Sequence, residues 1–174
     1  MRIVAGTHKG RKINPPNNLT VRPTTDRAKE ALFSIIDSRY FFTGKNMLDL
    51  FSGTGNIAFE FTSRGTEESL AVDNNVNCIE FITATAKSYN LNVSTIESDG
   101  LKFIQNCKKN FDFIFADPPY NYREYQKLKN VIIDRNLVKK DGLLIIEHDK
   151  ETDFNDNNVE LRKYGTVHFS IFSF

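Results

Sequence analysis

From residue 46 onwards, short apolar strands alternate with helical segments, and this alternation limits the possible folds more than any other feature of the sequence. A strand, a helix and a further strand in succession predict parallel strands joined by crossover helices, as in an α/β domain. Phe111–Ala116 carries apolar residues on both faces, as a covered central strand does. The predicted strands span 46–51, 69–73, 93–97, 111–116 and 143–147, and the predicted helices span 56–64, 76–89, 101–108 and 125–135.

Two hairpins and one further helix are predicted outside this alternation. The segment Arg2–Ile13 alternates weakly around two glycines and predicts a small hairpin, which consecutive prolines separate from the following chain. Apolar residues at spacings of three and four predict a helix from Thr25 onwards, and Thr24, Thr25 or Asp26 can cap its start. Val159–Phe174 breaks at a glycine and predicts a terminal antiparallel hairpin.

Length and composition narrow the class of protein. With 174 residues, the chain can form one domain with a full core. No apolar run approaches the ~20 residues of a membrane helix, and the start of the chain lacks an apolar leader. Cys78 and Cys107 belong to no cluster that could form a disulfide framework or a zinc site. We therefore expect a cytoplasmic monomer without metal and without membrane contact.

Basic residues are concentrated at the start of the chain. Residues 1–29 contain seven Lys or Arg and one acid, whereas the remainder contains 16 bases and 21 acids. A basic arm on a mildly acidic body is typical of a protein that holds a polyanion at one end, although a solvated basic tail is the alternative interpretation. We therefore divide the chain into a basic arm, residues 1–24, and an α/β domain, residues 25–174.

Four consecutive predicted strands each carry an aspartate at or just beyond their carboxyl end. In open parallel sheets, ligands bind outside the carboxyl ends of the strands, so these four side chains are expected at one edge. The four residues are Asp49, Asp73, Asp99 and Asp117.

A glycine-rich turn, Ser52-Gly53-Thr54-Gly55, follows the first of these strands. Its glycines let the backbone approach a ligand, and the free N–H groups of the next helix point to the same place. The spacing Gly53-x-Gly55-x-x-Ala58, with Asp73 20 residues after the first glycine, fits a dinucleotide or S-adenosylmethionine. Asp49 favours S-adenosylmethionine, because a carboxylate suits a sulfonium and an ammonium better than a pyrophosphate.

The acidic side chains allow a more detailed interpretation of this edge. Asp73 can accept hydrogen bonds from both ribose hydroxyls of an adenosyl group, and Asp99 can accept one from the adenine amine. The alternative is structural, in which Asp49 caps a turn and Asp99 caps the helix at Leu101. The residues expected at the cofactor are Asp49, Phe51, Ser52, Gly53, Gly55, Asp73, Asn74, Asp99 and Gly100.

The motif Asp117-Pro118-Pro119-Tyr120 is the most specific feature of the sequence. Two prolines after a buried strand make the chain rigid and remove two donors, so carbonyls and the Asp117 carboxylate form an array of acceptors. Such an array suits the two N–H bonds of an amino group, and Tyr120 offers a face for a flipped base. We expect these four residues to be catalytic, with Asp117 as a proton acceptor, whereas a plain strand-ending turn is the alternative.

At these motifs the sequence resembles the RsmD-type 16S ribosomal RNA guanine-N2 methyltransferases over nearly its whole length. The stretch Arg22-Pro23-Thr24-Thr25-Asp26-Arg27 is the most specific to that family, whereas the glycine turn and Asp-Pro-Pro-Tyr also occur in other amino-group methyltransferases. The other matching elements are Arg2–Gly6, Gly10–Lys12, Leu48–Gly55, Ser63–Gly65, Asp117–Tyr120, Gly142–Leu144 and Glu147-His148.

The resemblance implies a Rossmann-like methyltransferase fold with a mostly parallel seven-stranded sheet. It also implies transfer of one methyl group from S-adenosylmethionine to guanine N2 in 16S rRNA, usually in assembled small-subunit particles. The basic arm and the start of the next helix would then contact RNA phosphates. The expected RNA-binding residues are Arg2, His8, Lys9, Arg11, Lys12, Arg22, Thr24, Thr25 and Arg27.

Three alternatives remain open at this point. An adenine-N6 methyltransferase on DNA or RNA would use the same acceptor array, although the chain has no insertion to serve as a target-recognition domain. An oxidoreductase would leave the double proline unexplained. A non-catalytic rRNA-binding assembly factor would not require Asp49, Asp73 and Asp117. The pair Glu147-His148 could be catalytic or structural, and we interpret it as structural.

Overall fold

The computed structural model describes residues 1–16, 19, 25–119, 121–154, 156 and 158–174. The predictions for Arg22, Thr24 and Tyr120 lie outside the described residues. The helices are α1 (Asp26–Asp37), α2 (Asn56–Ser63), α3 (Val76–Tyr89), α4 (Gly100–Asn106) and α5 (Tyr125–Asp134). The strands are β1 (Asn46–Leu50), β2 (Glu68–Asp73), β3 (Val93–Glu97), β4 (Phe111–Ala116), β5 (Val138–His148), β6 (Val159–Tyr164) and β7 (Val167–Ser173).

The seven strands form one sheet in the order β3-β2-β1-β4-β5-β7-β6. The first five are mutually parallel, whereas β7 runs antiparallel to both β5 and β6. The predicted α/β class, the seven strands and the terminal hairpin are therefore confirmed. From β1 the chain adds β2 and β3 on one side, and it then adds β4 and β5 on the other side, so the strand order reverses between the parallel strands β1 and β4. Open α/β sheets form a ligand crevice at such a point.

Apolar side chains on the two faces of the sheet pack under separate sets of helices. One core includes residues of α1, α2 and α3, and the other includes residues of α4 and α5. The rings of Phe33, Phe42, Phe61 and Phe113 pack together in the first core, with centroids 4.9 to 6.4 Å apart. Phe111–Ala116 is buried along its whole length, which confirms the prediction of a central strand.

Residues 1–13 form the predicted hairpin, and it packs closely on the domain. The Ile3 amide donates to the Arg11 carbonyl at 3.0 Å, and Ile3 and Ile13 are buried in the first core. At the tip, the Thr7 amide donates to the Ser63 carbonyl at the end of α2 (2.7 Å). The hairpin is therefore joined to the α/β domain by hydrogen bonds and by apolar burial.

A buried ionic network joins the hairpin, α1 and α2. The carboxylate of Glu60 accepts hydrogen bonds from the amides of Val4 (2.8 Å) and Ala5 (3.0 Å). It also lies 3.3 Å from Nζ of Lys29 in α1 and 2.9 Å from Nε of Arg64. Burial lowers the pKa of Lys29, and the neighbouring Glu60 opposes that shift. The charges of Lys29 and Glu60 can be buried because each of these side chains has several polar partners.

The strand before the terminal hairpin is longer than the sequence indicates. We predict a strand at 143–147, but β5 already begins at Val138, so that predicted boundary is wrong. The intervening Lys139-Lys140-Asp141-Gly142 has the polar, glycine-containing composition of a turn, with Lys140 and Asp141 exposed and Gly142 buried. Pairing with β4 shifts register there, with Phe111 opposite Val138 and Phe113 opposite Leu143.

Candidate active site

One cavity of about 470 Å³ lies at the carboxyl edge of the parallel strands, across the junction of β1 and β4. The turns after β1, β2 and β3 form one half, and the ends of β4 and β5 with the turn before β7 form the other. We call these the glycine-turn half and the strand-five half. The lining residues of the first half include Phe51, Ser52, Gly53, Asp73, Asn74, Asn75 and Asp99, and those of the second include Asp117, Pro118, Pro119, Tyr122, Tyr125, Glu147, His148, Asp149, Thr166 and Val167.

The turn between β1 and α2 depends on its second glycine. Gly55 has φ +73° and forms the N-cap of α2. A Cβ atom added there would lie 2.9 Å from Cγ1 of Ile82 and 3.1 Å from the ring of Phe59. Only glycine therefore satisfies both the left-handed backbone and the close packing. Gly55 packs against the side chains of Ile82 and Phe59 and does not line the cavity.

Asp73 at the end of β2 holds this turn in place. Its Oδ2 accepts a hydrogen bond from the Gly53 amide at 2.7 Å, and its Oδ1 accepts one from the Asn75 amide at 2.8 Å. A carboxylate has about four acceptor positions, so capacity remains for hydroxyl donors of a ligand. Asn74 is exposed beside it on the cavity wall.

Asp49 is buried beneath the same turn, with 2% of its surface exposed. Its Oδ2 accepts a hydrogen bond from the Ala58 amide in the first turn of α2 at 3.0 Å, so it has a structural contact with this helix. Burial is the main cause that raises the pKa of Asp49 to about 8; the Ala58 amide opposes this rise, and the nearby Asp73 adds to it. Because Asp49 also lines the cavity, it combines a structural contact with access to a ligand.

Asp99 and Gly100 close the glycine-turn half from the side of β3. Asp99 is the N-cap of α4, where its Oδ1 accepts a hydrogen bond from the Lys102 amide at 2.8 Å. The capping alternative is thus realised, although Asp99 also lines the cavity. Gly100 lies under the Phe51 ring, and an added Cβ would lie 2.7 Å from Cζ of that ring. Gly100 positions Phe51 and does not itself line the cavity.

The segment Asp117-Pro118-Pro119 leaves β4 at the centre of the cavity. The Asp117 amide donates to the Leu50 carbonyl of β1 at 3.3 Å, and the Tyr122 amide donates to the Pro119 carbonyl at 2.8 Å. The resulting turn places the Tyr122 ring beside the Phe51 ring, with centroids 5.5 Å apart. Burial raises the pKa of Asp117 well above its ordinary value, and the neighbouring Glu147 and Asp49 add to this shift.

Several lining residues of the strand-five half are absent from the sequence prediction. Tyr122 and Tyr125 form an edge-to-face pair, with centroids 5.2 Å apart. Glu147, which we interpret from sequence as structural, lines the cavity beside them. The turn residues Thr166 and Val167 complete the wall, and no sequence motif marks them.

His148 is fixed on both sides of its ring. Nδ1 lies 2.7 Å from the Asp149 carbonyl, and Nε2 lies 2.8 Å from Oγ of Ser170 in β7. A neutral imidazole with its proton on Nδ1 satisfies both partners. Burial is the main cause that lowers the pKa of His148. The ring of His168 packs edge-on against that of His148, with centroids 5.8 Å apart.

The residues expected to bind RNA do not form one cluster at the cavity. Thr25 lines the cavity and caps α1, where its Oγ1 accepts a hydrogen bond from the Ala28 amide (3.3 Å). In contrast, Nε2 of His8 contacts the carbonyl of Tyr89, at the far end of α3. The 14 residues of α3 put about 20 Å between that end and the cavity. Arg2 pairs with Glu30, Arg11 lies over the Tyr89 ring, and Lys9, Lys12 and Arg27 are exposed.

The composition of the glycine-turn half fits a cationic adenosyl ligand. Three carboxylates surround it, and all of its polar lining can accept hydrogen bonds from hydroxyl or amino groups. The hydroxyl of Ser52 is buried and has no hydrogen-bond partner among the described residues, so it can serve such a ligand. Within the same residues, no group of three or more His, Cys, Asp or Glu side chains is arranged to hold a metal ion. In the described part of the chain, every helix is too short or too polar to cross a bilayer.

Nearly the whole chain matches a known protein family and proteins of two bacteria. The model of the family described as conserved hypothetical protein 95 matches residues 1–173. The Bacillus subtilis protein YlbH, to which rRNA methyltransferase activity is ascribed, is 32% identical over 158 residues, or 88% of this chain and 85% of its own. Ribosomal RNA small subunit methyltransferase D of Haemophilus influenzae is 30% identical over 156 residues, or 87% of this chain and 80% of its own.

Two solved structures with the same fold are described as methyltransferases. The Escherichia coli protein yhhF superimposes with a TM-score of 0.86 at 22% identity, covering 99% of this chain and 97% of its own. The 16S rRNA N2 G1207 methyltransferase RsmC of Thermus thermophilus, in complex with AdoMet and guanosine, has a TM-score of 0.72 at 14% identity. That match covers 88% of this chain and 44% of RsmC. The predicted Rossmann-like methyltransferase fold is confirmed.

Proposed function

This chain belongs to the RsmD-type family, and from that premise we propose that it is an S-adenosylmethionine-dependent rRNA methyltransferase. More specifically, we propose that it transfers one methyl group to the exocyclic N2 amine of one guanine in 16S rRNA, on assembled small-subunit particles. The observation that carries it is one cavity that joins a carboxylate-rich glycine turn to Asp117-Pro118-Pro119. Relatives named ribosomal RNA small subunit methyltransferase D support the rRNA substrate.

In the glycine-turn half, each carboxylate has a distinct proposed role toward S-adenosylmethionine. Asp73 would accept hydrogen bonds from the ribose hydroxyls, since its two backbone contacts leave acceptor positions free. Asp99 would accept one from the adenine amine. Asp49 would lie near the cationic end of the ligand, where its ionised form is stabilised by the opposite charge. When bound, S-adenosylmethionine supplies an electrophilic methyl group on a sulfonium.

In the strand-five half, the protein must prepare a weak nucleophile. The lone pair of the guanine amine is delocalised into the ring, so acceptors for both amine hydrogens would favour a pyramidal nitrogen. Asp117 and the carbonyls of its rigid proline segment are the proposed acceptors. As the N–C bond forms and the bond from sulfur to the methyl group breaks, the amine loses one proton to Asp117. The raised pKa of Asp117 suits this proton acceptance.

Residues around the base site and in the hairpin would hold the RNA. Pro118, Pro119 and Tyr120 would line the base site, with Tyr120 stacking on the flipped base. Thr25 at the cavity, together with Arg22, Thr24 and Arg27, would position the RNA near the base site. The hairpin residues would contact phosphates farther along the RNA. We also propose that the protein acts as a monomer in the cytoplasm and needs no metal.

Methyl transfer to a defined substrate tests this function. Small ribosomal subunits from cells that lack the protein are incubated with labelled S-adenosylmethionine and either the wild-type protein or Asp117→Asn. We expect N2-methylguanosine at a single 16S position with the wild-type protein, and a rate at least about 100-fold lower with the variant. N6-methyladenosine instead would overturn the base, and no label on any RNA would support a binding factor without catalysis. An Asp117→Asn protein as active as the wild type would refute the catalytic role of Asp117.

A further inference from the structure

A second acidic residue lies directly beside Asp117 in the strand-five half. Ala116 of β4 is the register partner of Ile146 of β5, so the next residues along these parallel strands, Asp117 and Glu147, are neighbours. Adjacent strands in a sheet are about 4.8 Å apart. Because side chains alternate between faces, both residues extend from the same face, and both line the cavity. The base site therefore contains two carboxyl groups, of which the proposed methyl transfer uses one.

The backbone that carries Glu147 is held in place on both sides. Glu147 is paired with Phe169 of β7, and the next residue, His148, is paired with His168. The two ring contacts of His148, at 2.7 and 2.8 Å, fasten the end of β5 to Asp149 and to Ser170 of β7. The position of Glu147 along the cavity wall is thus defined by strand pairing and not by a mobile loop.

Two carboxyl groups side by side favour a base that presents adjacent N–H donors. The Watson–Crick edge of guanine has the N1–H next to the N2 amine, whereas adenine has an unprotonated N1 next to its N6 amine. A carboxylate accepts hydrogen bonds from N1–H and repels the lone pair of an unprotonated N1. A site built to accept such a hydrogen bond rejects analogues that lack the donor, because its own polar group is then left unpaired.

We propose that Glu147 is the residue that selects guanine, by accepting a hydrogen bond from N1–H while Asp117 contacts the N2 amine. This inference rests on the proposed function and adds its specificity determinant. Asp117 serves the reacting amine, and Glu147 reads the neighbouring ring position. The pair therefore distinguishes guanine, whose amine lies next to the protonated N1, from a purine whose amine has no protonated ring nitrogen beside it.

The test compares guanine with 2-aminopurine, which keeps the C2 amine but has no proton on N1. Small subunits are reconstituted with either base at the methylated position, and kcat/KM is measured for wild-type protein, Glu147→Gln and Glu124→Gln. We expect the wild-type protein to prefer guanine by about 100-fold or more. In Glu147→Gln, the amide can donate to an unprotonated N1, so the preference should fall at least about tenfold.

The controls separate specificity from folding. Glu124, whose side chain is 50% exposed and pairs with Lys127, should tolerate the same substitution without a change in preference. Glu147→Gln should bind S-adenosylmethionine as the wild type does, because the glycine-turn half contains no part of β5. Guanine methylation with an unchanged preference in Glu147→Gln would overturn this inference alone. Absence of guanine methylation by the wild-type protein would overturn the proposed function together with it.

Discussion

A hydrogen bond and burial have opposite effects on the charge of Asp49. The Ala58 amide favours the ionised carboxylate, whereas burial favours the neutral acid and raises the pKa to about 8. At neutral pH a large share of the free protein therefore carries a proton on Asp49. A cationic ligand in the cavity favours the ionised form, so its binding must expel that proton.

We therefore expect S-adenosylmethionine binding to release protons near pH 7. Since the ligand favours ionised Asp49, apparent affinity should rise by up to about tenfold per pH unit below the pKa and level off above about 8. Calorimetry in buffers of different ionisation enthalpy measures the released protons directly. Asp49→Asn should release fewer, and S-adenosylhomocysteine, which lacks the sulfonium charge, should show a weaker pH dependence. Equal proton release by wild type and variant would contradict this assignment.

Individual site residues differ in how far the sequence predicts them. Asp73 and Asp117 are predicted because each follows an apolar strand, and strand ends meet at one edge. Glu147 is not assigned to the site from sequence, because its nearness to Asp117 depends on which strands pair and in which register. Tyr122 enters the cavity through a turn whose hydrogen bond no motif indicates. Side chains on one strand end are thus predictable, whereas neighbours across strands require the sheet order.

At the level of elements, Glu60 connects the hairpin with two helices. Its carboxylate contacts two backbone amides of the hairpin, Lys29 of α1 and Arg64 at the end of α2. These interactions connect three segments that are distant in sequence. Loss of the carboxylate would leave Lys29 buried beside uncompensated polar groups.

Glu60→Ala should lower the free energy of unfolding by about 3–5 kcal/mol, because it leaves a buried cation without its counterion. Urea denaturation measures this change. The matched control is Glu30→Ala, which removes the exposed pair with Arg2 and should cost no more than about 1 kcal/mol. Similar losses for the two variants would show that the buried network contributes no more than a surface pair.

Gly6 and Gly10 allow a second comparison within the hairpin. Both have positive φ, at +80° and +83°, but a Cβ at Gly6 would lie 1.8 Å from the Ser63 carbonyl oxygen, whereas one at Gly10 would meet nothing within 4 Å. Gly10→Ala should therefore cost only about 1–2 kcal/mol of backbone strain. Gly6→Ala should cost more and should increase amide exchange at Thr7, because the hairpin must move away from α2. Equal thermal stability of the two variants would argue against close docking at Gly6.

The order and type of elements follow from the sequence more completely than their ends do. The alternation of strands and helices predicts the parallel sheet, because periodicity is a local property. The start of β5 is missed, since Lys139–Gly142 has the composition of a turn and yet belongs to a strand with shifted register. The docking of the hairpin on α2 is likewise set by long-range contacts such as that of Thr7 with Ser63.

On the scale of the whole molecule, the tip of the basic hairpin and the cavity are separated along α3. The hairpin tip contacts Tyr89 at one end of this helix, and Asp73 precedes its other end. The two regions are about 20 Å apart along this helix. An RNA that contacts both regions must therefore extend well beyond the methylated nucleotide.

We expect Lys9→Ala with Lys12→Ala to weaken binding of the intact small subunit and leave kcat unchanged. Each lost phosphate contact should reduce the dependence of binding on salt, because fewer counterions are released. Filter binding at salt concentrations from about 50 to about 200 mM measures how steeply the affinity for RNA falls with salt. A short RNA loop that cannot reach the hairpin serves as the control substrate and should bind both proteins alike. A slope that the double variant leaves unchanged would exclude these two lysines from the RNA interface.

The terminal hairpin makes one wall of the cavity depend on the last strand of the chain. The lining residues named for the glycine-turn half all precede residue 100. The strand-five half, in contrast, needs Glu147 of β5, which pairs with Phe169 of β7, and Val167 of β7, which pairs with Tyr164 of β6. During synthesis the early strands leave the ribosome first, and the base site is completed only when β7 has inserted between β5 and β6. A chain that stops before β7 therefore lacks the wall that the base site would need, even though it contains every lining residue named for the glycine-turn half.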